Sequence, residues 1–196
     1  MRLPCAGYDR AVPDRNDAFE ELLETLKHAA AALRDAEIPF VLGGGLAVWA
    51  RGGPETEHDV DFFIKAEDAD NALQALSGAG FRTEEPPEGW LYKGFRGDVM
   101  VDLIFAPSGI EIDDGFLGRA EVLEVHAVRM PVMRPEDVLV TKLLAMREHE
   151  VDYEQVLEIA RTVREQIDWA EVRARTNGSP YAKAFFTLVD ELGVTV

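Results

Sequence analysis

The chain is short of cysteine, of positive charge and of long apolar runs, and each shortage removes a class of protein. Cys5 is the single cysteine among 196 residues. No internal disulfide can form, and with no ligand cluster around it Cys5 is neither a metal site nor a nucleophile. A reducing, cytoplasmic setting is expected. Twenty Lys and Arg stand against 37 Asp and Glu, a formal charge of −17, which excludes a generally basic nucleic-acid binder. No apolar run approaches the roughly 20 residues that span a bilayer, and the opening residues lack the apolar stretch of a signal peptide, so neither membrane insertion nor secretion is expected. The remainder, 47% hydrophobic and 29% charged, has the composition of a globular fold long enough to bury its own core.

Residues 1–15 carry two prolines and no periodicity, which predicts a loosely held arm. A helix follows to about Ala36, capped by Asn16 or Asp17, with Phe19, Leu22, Leu23, Leu26, Ala30 and Leu33 at helical spacing. Pro39 to Leu42 reads as a buried strand running into Gly43-Gly44-Gly45 and a short helix stopped at Gly52-Gly53-Pro54. A strand from Asp59 to Ile64, a helix over 67–79 and an extended piece at 81–83 come next. Trp90 to Phe95 and Asp98 to Phe105 pair as a hairpin around Arg96-Gly97, and one further strand is expected over 122–128. Beyond Met133 the pattern turns helical, at about 135–149, 153–166, 168–175 and 180–192. The division expected is an arm at 1–15, an α/β core at 16–130 and a helical portion at 131–196 packed on it.

Asp59 and Asp61 lie two apart in a strand, so both leave one face while Val60 and Phe62 face the other way. Two carboxylates aimed at one spot repel unless a cation lies between them, and Mg²⁺ prefers oxygen ligands. The alternative is an acidic, solvated strand end. Gly43, Gly44 and Gly45 between a strand and a helix would let backbone N–H groups approach a phosphate, or would serve only as a tight connection. Asp102 interrupts the apolar run Val101-Asp102-Leu103-Ile104-Phe105, a placement that is costly without a partner. Asp98 is nearer the turn. Lys142 falls inside the apolar stripe of Val138, Leu139, Leu143 and Met146, where it either lays its stem over the core or faces a carboxylate-lined cleft. Asp152 opens a capping box with Gln155, and a site role is compatible with that. His58 and His126 read as flanking and structural residues, and Trp49, Trp90 and Trp169 as core or groove residues, with Trp90 able to line an acceptor pocket.

This arrangement resembles the minimal nucleotidyltransferases of the polymerase β superfamily: Gly44-Gly45 at a strand end, thirteen intervening residues, Asp59-Val60-Asp61 on the next strand, and Asp102 alone in a later one. Thr141-Lys142-Leu143-Leu144-Ala145 followed by His149-Glu150-Val151-Asp152 is similar to the Lys helix and downstream Asp of AbiEii-like toxins, the mycobacterial MenT group included. The resemblance spans about residues 39–160. It implies an α+β fold, a mixed-sheet core flanked by helices, and transfer of a nucleoside monophosphate from an NTP to an acceptor hydroxyl. Asp59, Asp61 and Asp102 would hold two Mg²⁺ ions, Gly43 to Gly45 and Lys142 would meet the nucleotide, and Asp152 would join the catalytic group. Family members often carry Ser where this chain has Gly45, and Ser or Thr where it has Glu57, so backbone N–H groups would have to replace those hydroxyls.

Three functions follow from the resemblance. The acceptor is RNA, such as a tRNA 3′ end, with a cognate antitoxin protein as partner. Alternatively it is a small cationic molecule of the aminoglycoside type, which suits the acidic balance. As a third reading, the protein binds nucleotide without turnover, as an antitoxin-like relative. For the RNA reading, five bases against three acids between Arg161 and Lys183 offer a local positive surface.

Overall fold

The computed structural model describes residues 15–56 and 59–195. Residues 1–14 of the expected arm, Cys5 among them, and the positions of Glu57 and His58 lie outside the described residues, while Arg15, expected in the arm, is helical. Helix α1 (Arg15–Asp35) is already running at Arg15, so neither Asn16 nor Asp17 is its cap. Leu22, Leu23, Leu26, Ala30 and Leu33 are all buried, which is the apolar stripe expected from their spacing.

Strands β1 (Phe40–Leu42), β2 (Val60–Ile64), β3 (Arg82–Glu84), β4 (Leu91–Arg96), β5 (Val99–Ile104), β6 (Glu121–Val125) and β7 (Val128–Val132) form one seven-stranded mixed sheet in the order β3-β4-β5-β2-β1-β7-β6. The β2 strand runs parallel to β5 and antiparallel to β1, and β4 is antiparallel to β5. Helices α2 (Gly44–Trp49), α3 (Ala69–Gly78) and α4 (Asp114–Gly118) lie between the strands, and α5 (Pro135–Ala145), α6 (Tyr153–Thr162), α7 (Trp169–Thr176) and α8 (Pro180–Glu191) follow them. This is the α+β fold with a mixed sheet. Val60, Phe62, Ile64, Val101 and Leu103 are fully buried beneath the helices.

The strand expected over 122–128 is a hairpin. His126 and Ala127 turn the chain with φ of 48° and 64°, and Val125 pairs with Val128 across them. A two-residue turn with both residues left-handed matches the twist of the flanking strands, but it normally carries Asn or Gly, and neither is present to signal it. His126 is therefore a turn residue, set near Glu20 and Glu24 of α1.

A buried ionic network ties the later helices to one another. Asp137 of α5, only 2% exposed, accepts hydrogen bonds from Arg119 and Arg175, while Arg134 bridges Glu136 and Glu171. Among the described residues no helix is long and apolar enough to cross a membrane.

Candidate active site

The site is laid down by strand register. Across β3, β4, β5 and β2, Glu84 faces Lys93, Lys93 faces Asp102, and Asp102 faces Asp61. Residues in register on adjacent strands share a face, so four charged side chains form a single row. Burial pushes the Asp61 carboxyl up to about 7, Lys142 opposes this, and the charges of Asp102 and Asp59 add to it. Asp102 is also raised, first by burial, against the pull of Lys93 and with a further push from Asp59. The three carboxylates thus feel one another.

Asp102 is 9% exposed. Lys93 Nζ lies 3.3 Å from its Oδ1 but donates to Met100 Sδ at 3.0 Å, so Oδ1 is buried beside a counter-charge and short of a well-aligned hydrogen bond. Oxygen donors that repel one another, one with an unused lone pair, are a donor set suited to a hard divalent cation. Among the described residues no group of three acids, histidines or cysteines is already drawn together as a cage.

The glycine turn closes on this row. Gly43 N–H donates to the Asp61 carbonyl at 2.9 Å. Gly44 has φ of +56°, and a Cβ there would lie 2.7 Å from Asp61 Cγ and overlap Oδ2 outright. Only glycine permits both the left-handed backbone and the carboxylate beside it. Gly43 is constrained by packing instead, since its Cβ would meet Met133 Sδ and the Phe63 ring, each at 2.7 Å or less. At Gly45 a Cβ would come within 2.7 Å of Thr56 Oγ1, so a threonine hydroxyl stands at the position from which a serine at 45 would project.

Lys142 reaches the site from α5. Burial lowers its pKa, against the attraction of Asp61 and Asp152, and Nζ donates to Gln155 Oε1 at 2.7 Å. Its charge acts on Asp61 and Asp152 while its ammonium is held by Gln155. Asp152 caps α6 by accepting from Gln155 N at 3.1 Å. Gln155, which the sequence pattern did not single out except as a capping partner, connects both residues.

Two cavities meet at Asp152 and Gln155. The larger, about 630 Å³, is bounded by Gly45 and Thr56 on one side and by Glu154 and Glu158 of α6 on the other, with Glu55 at its edge. The smaller, about 250 Å³, is lined by Lys142 and Glu150. Four carboxylates of the larger cavity, those of Glu55, Asp152, Glu154 and Glu158, give it a negative wall.

Other expected residues fall elsewhere. Asp98 sits exposed in the β4–β5 turn, Trp49 packs edge-on against Phe19, and Trp169 is buried. Trp90 is partly exposed ahead of β4, and its carbonyl accepts from Phe105 and Ala106. The bases proposed as an RNA guide are largely occupied: Arg175 is bound to Asp137 and Glu171, and Arg173 pairs with Asp190 while stacking on Phe186.

The family described as "Nucleotidyl transferase of unknown function (DUF2204)" matches residues 22–184. The chain belongs to this family. As a nucleotidyl transferase it has no significant match among proteins of curated function. Its fold is similar to that of the antibiotic-resistance factor ANT(2'')-Ia in solution, with a TM-score of 0.63 at 14% identity over 89% of this chain and 97% of the other. A crystal structure of ANT(2")-Ia with adenylyl-2"-tobramycin gives 0.61 at 15% identity over 83% and 98%. The lincosamide antibiotic adenylyltransferase LnuA, lincomycin-bound, gives 0.51 at 14% over 69% and 92%. At such identities the likeness is one of fold.

Proposed function

We propose that this nucleotidyl transferase moves a nucleoside monophosphate from an NTP to a hydroxyl of a small cationic acceptor. The observation that carries the choice of acceptor is the cavity with four carboxylates that opens beside Gly45 and meets the Lys142 cavity at Asp152 and Gln155. Such a wall attracts an amine-bearing molecule and repels a polyanion. The acceptors named for ANT(2")-Ia and LnuA, tobramycin and lincomycin, are of this size class.

In the reaction the acceptor oxygen bonds to the α-phosphorus, the bond from that phosphorus to the bridging oxygen breaks, and pyrophosphate leaves. The hydroxyl proton passes to the Asp102 carboxylate. Asp59, Asp61 and Asp102 would hold Mg²⁺, two ions in the expected stoichiometry, which when bound withdraws charge from the triphosphate and lowers the pKa of the attacking hydroxyl. Gly44 and Gly45 present their backbone N–H groups to the phosphates, while Gly43, whose N–H is bound to the Asp61 carbonyl, holds the turn against β2, and Thr56 supplies the hydroxyl that Gly45 lacks. Lys142, held by Gln155, offsets the negative charge that grows on the leaving group. Asp152 fixes Gln155 through the helix cap and adds its charge to the acceptor wall.

An RNA acceptor, with the neutralising partner protein that the toxin-like resemblance implies, would need free bases. Arg173 and Arg175 are engaged in ion pairs, which favours the small acceptor. Each NTP labelled at the α-phosphate, offered with Mg²⁺ and either amino sugars and polyamino alcohols or total RNA, tests the assignment. Label in a small cationic product supports it. Label in an RNA-sized band selects the RNA reading, and tight nucleotide binding without transfer selects a binding protein.

A further inference from the structure

Lys93 is the one cation in the carboxylate row, and none of the motifs above includes it. It is placed by the backbone ladder rather than by chance side-chain reach: the β4–β5 register sets its Cα opposite that of Asp102, as the β5–β2 register sets Asp102 opposite Asp61. Its side chain is three-quarters covered and its ammonium stands 3.3 Å from Asp102 Oδ1. The direction of that ammonium matters. It donates to the sulfur of Met100 and meets Oδ1 with its charge and a poorly aligned hydrogen bond. A single contact of this kind neutralises the carboxylate and leaves most of the roughly four lone-pair sites of its two oxygens available to a cation.

We infer that Lys93 is a built-in counter-cation, a positioning residue that keeps Asp102 folded into the carboxylate row before a divalent ion arrives and that weakens the binding of that ion by competing for the same field. This rests on the reading of Asp61 and Asp102 as cation ligands. Two like charges side by side on adjacent strands are destabilising, and the row has Glu84 on the far side of Lys93, itself paired with Arg82. With Lys93 neutral, Asp61 and Asp102 would face each other with no neighbouring strand cation. The metal-free fold would then be less stable, and a divalent ion would gain more by binding.

The test is Mn²⁺ titrated into the full chain without nucleotide, free ion being followed by electron paramagnetic resonance, in the parent, Lys93→Met, Lys93→Arg, Asp61→Asn and Asp102→Asn. Lys93→Met is expected to bind Mn²⁺ about two- to fivefold more tightly, the scale of a partly exposed ion pair, and to melt lower than the parent without metal. Lys93→Arg keeps the charge and restores both values. If Lys93→Met is unfolded without metal, Mn²⁺ restores its circular dichroism; failure to do so overturns the inference. Unchanged or weaker Mn²⁺ binding in folded Lys93→Met, with binding lost in Asp61→Asn and Asp102→Asn, overturns the role of Lys93 alone. Parent-like binding in both aspartate variants removes the cation site itself, and the inference with it.

Discussion

Gly44 and Asp61 are fitted to each other: the carboxylate occupies the space that any side chain at position 44 would need. Because Gly44 also has φ of +56°, its replacement meets two penalties, a left-handed backbone that costs about 1–3 kcal/mol for a residue with a Cβ and displacement of the carboxylate. Gly44→Ala should lower the melting temperature and abolish transfer. A variant that keeps the parent rate would show that the position of Asp61 is immaterial.

At Gly45 the outcome is conditional. A methyl group there meets the end of Thr56, a side chain that can be shortened. Gly45→Ala should lose stability, and Gly45→Ala with Thr56→Gly should recover most of it, measured as the coupling in a double-mutant cycle. Additive effects would mean that the two residues do not share that space.

Lys142→Met keeps the stem and removes the charge. The fold should survive, since Val138, Leu139 and Leu143 carry the packing of α5, while turnover falls roughly a hundred- to a thousandfold, the usual 2.7–4 kcal/mol for one transition-state contact. Gln155→Leu should reproduce part of that loss by freeing the ammonium it holds at 2.7 Å. Parent-like turnover in Lys142→Met would reduce the residue to a packing role.

Much of this site is legible in the sequence and part of it is not, for physical reasons. Alternation along Asp59-Val60-Asp61 and the intrusion of Asp102 into an apolar run are local signals, and the structure brings those residues together with Gly44 and Lys142. Lys93 carries no local signal, and a turn at Arg96-Gly97 would set Leu91 against Asp102; the turn falls one residue later, at Gly97-Asp98, where Arg96 pairs with Val99 and Lys93 meets Asp102. Gln155 carries none either, because it meets Lys142 through the packing of α6 on α5, which no periodicity encodes. The β6–β7 hairpin carries no such signal, since His126 and Ala127 adopt a turn that glycine or asparagine usually announces.

Acid should loosen the helical network. Burial raises the pKa of Glu171, but hydrogen bonds from Arg134 and Arg175 outweigh it and the net shift is downward. A carboxylate depressed on folding stabilises the protein above its unfolded pKa, and that contribution is lost as pH falls through the lower folded value. Melting temperature should therefore drop below about pH 4.5, the ordinary range for Glu, and Glu171→Gln should show a smaller drop over the same interval. An unchanged slope would remove Glu171 from the account.

The acceptor wall is tested by charge removal. Glu154→Gln with Glu158→Gln should raise the KM for an amine-bearing acceptor several-fold, at up to about 1 kcal/mol for each exposed carboxylate, and leave the KM for NTP unchanged. Equal effects on both substrates would place the acceptor elsewhere.

The central claim is that the carboxylate row performs the transfer, and the most direct measurement is pyrophosphate release with an NTP, Mg²⁺ and a cationic acceptor in the parent and in Asp61→Asn and Asp102→Asn, all three verified as folded. The account predicts acceptor-dependent release in the parent and its loss in both variants. Release undiminished in either variant would contradict it.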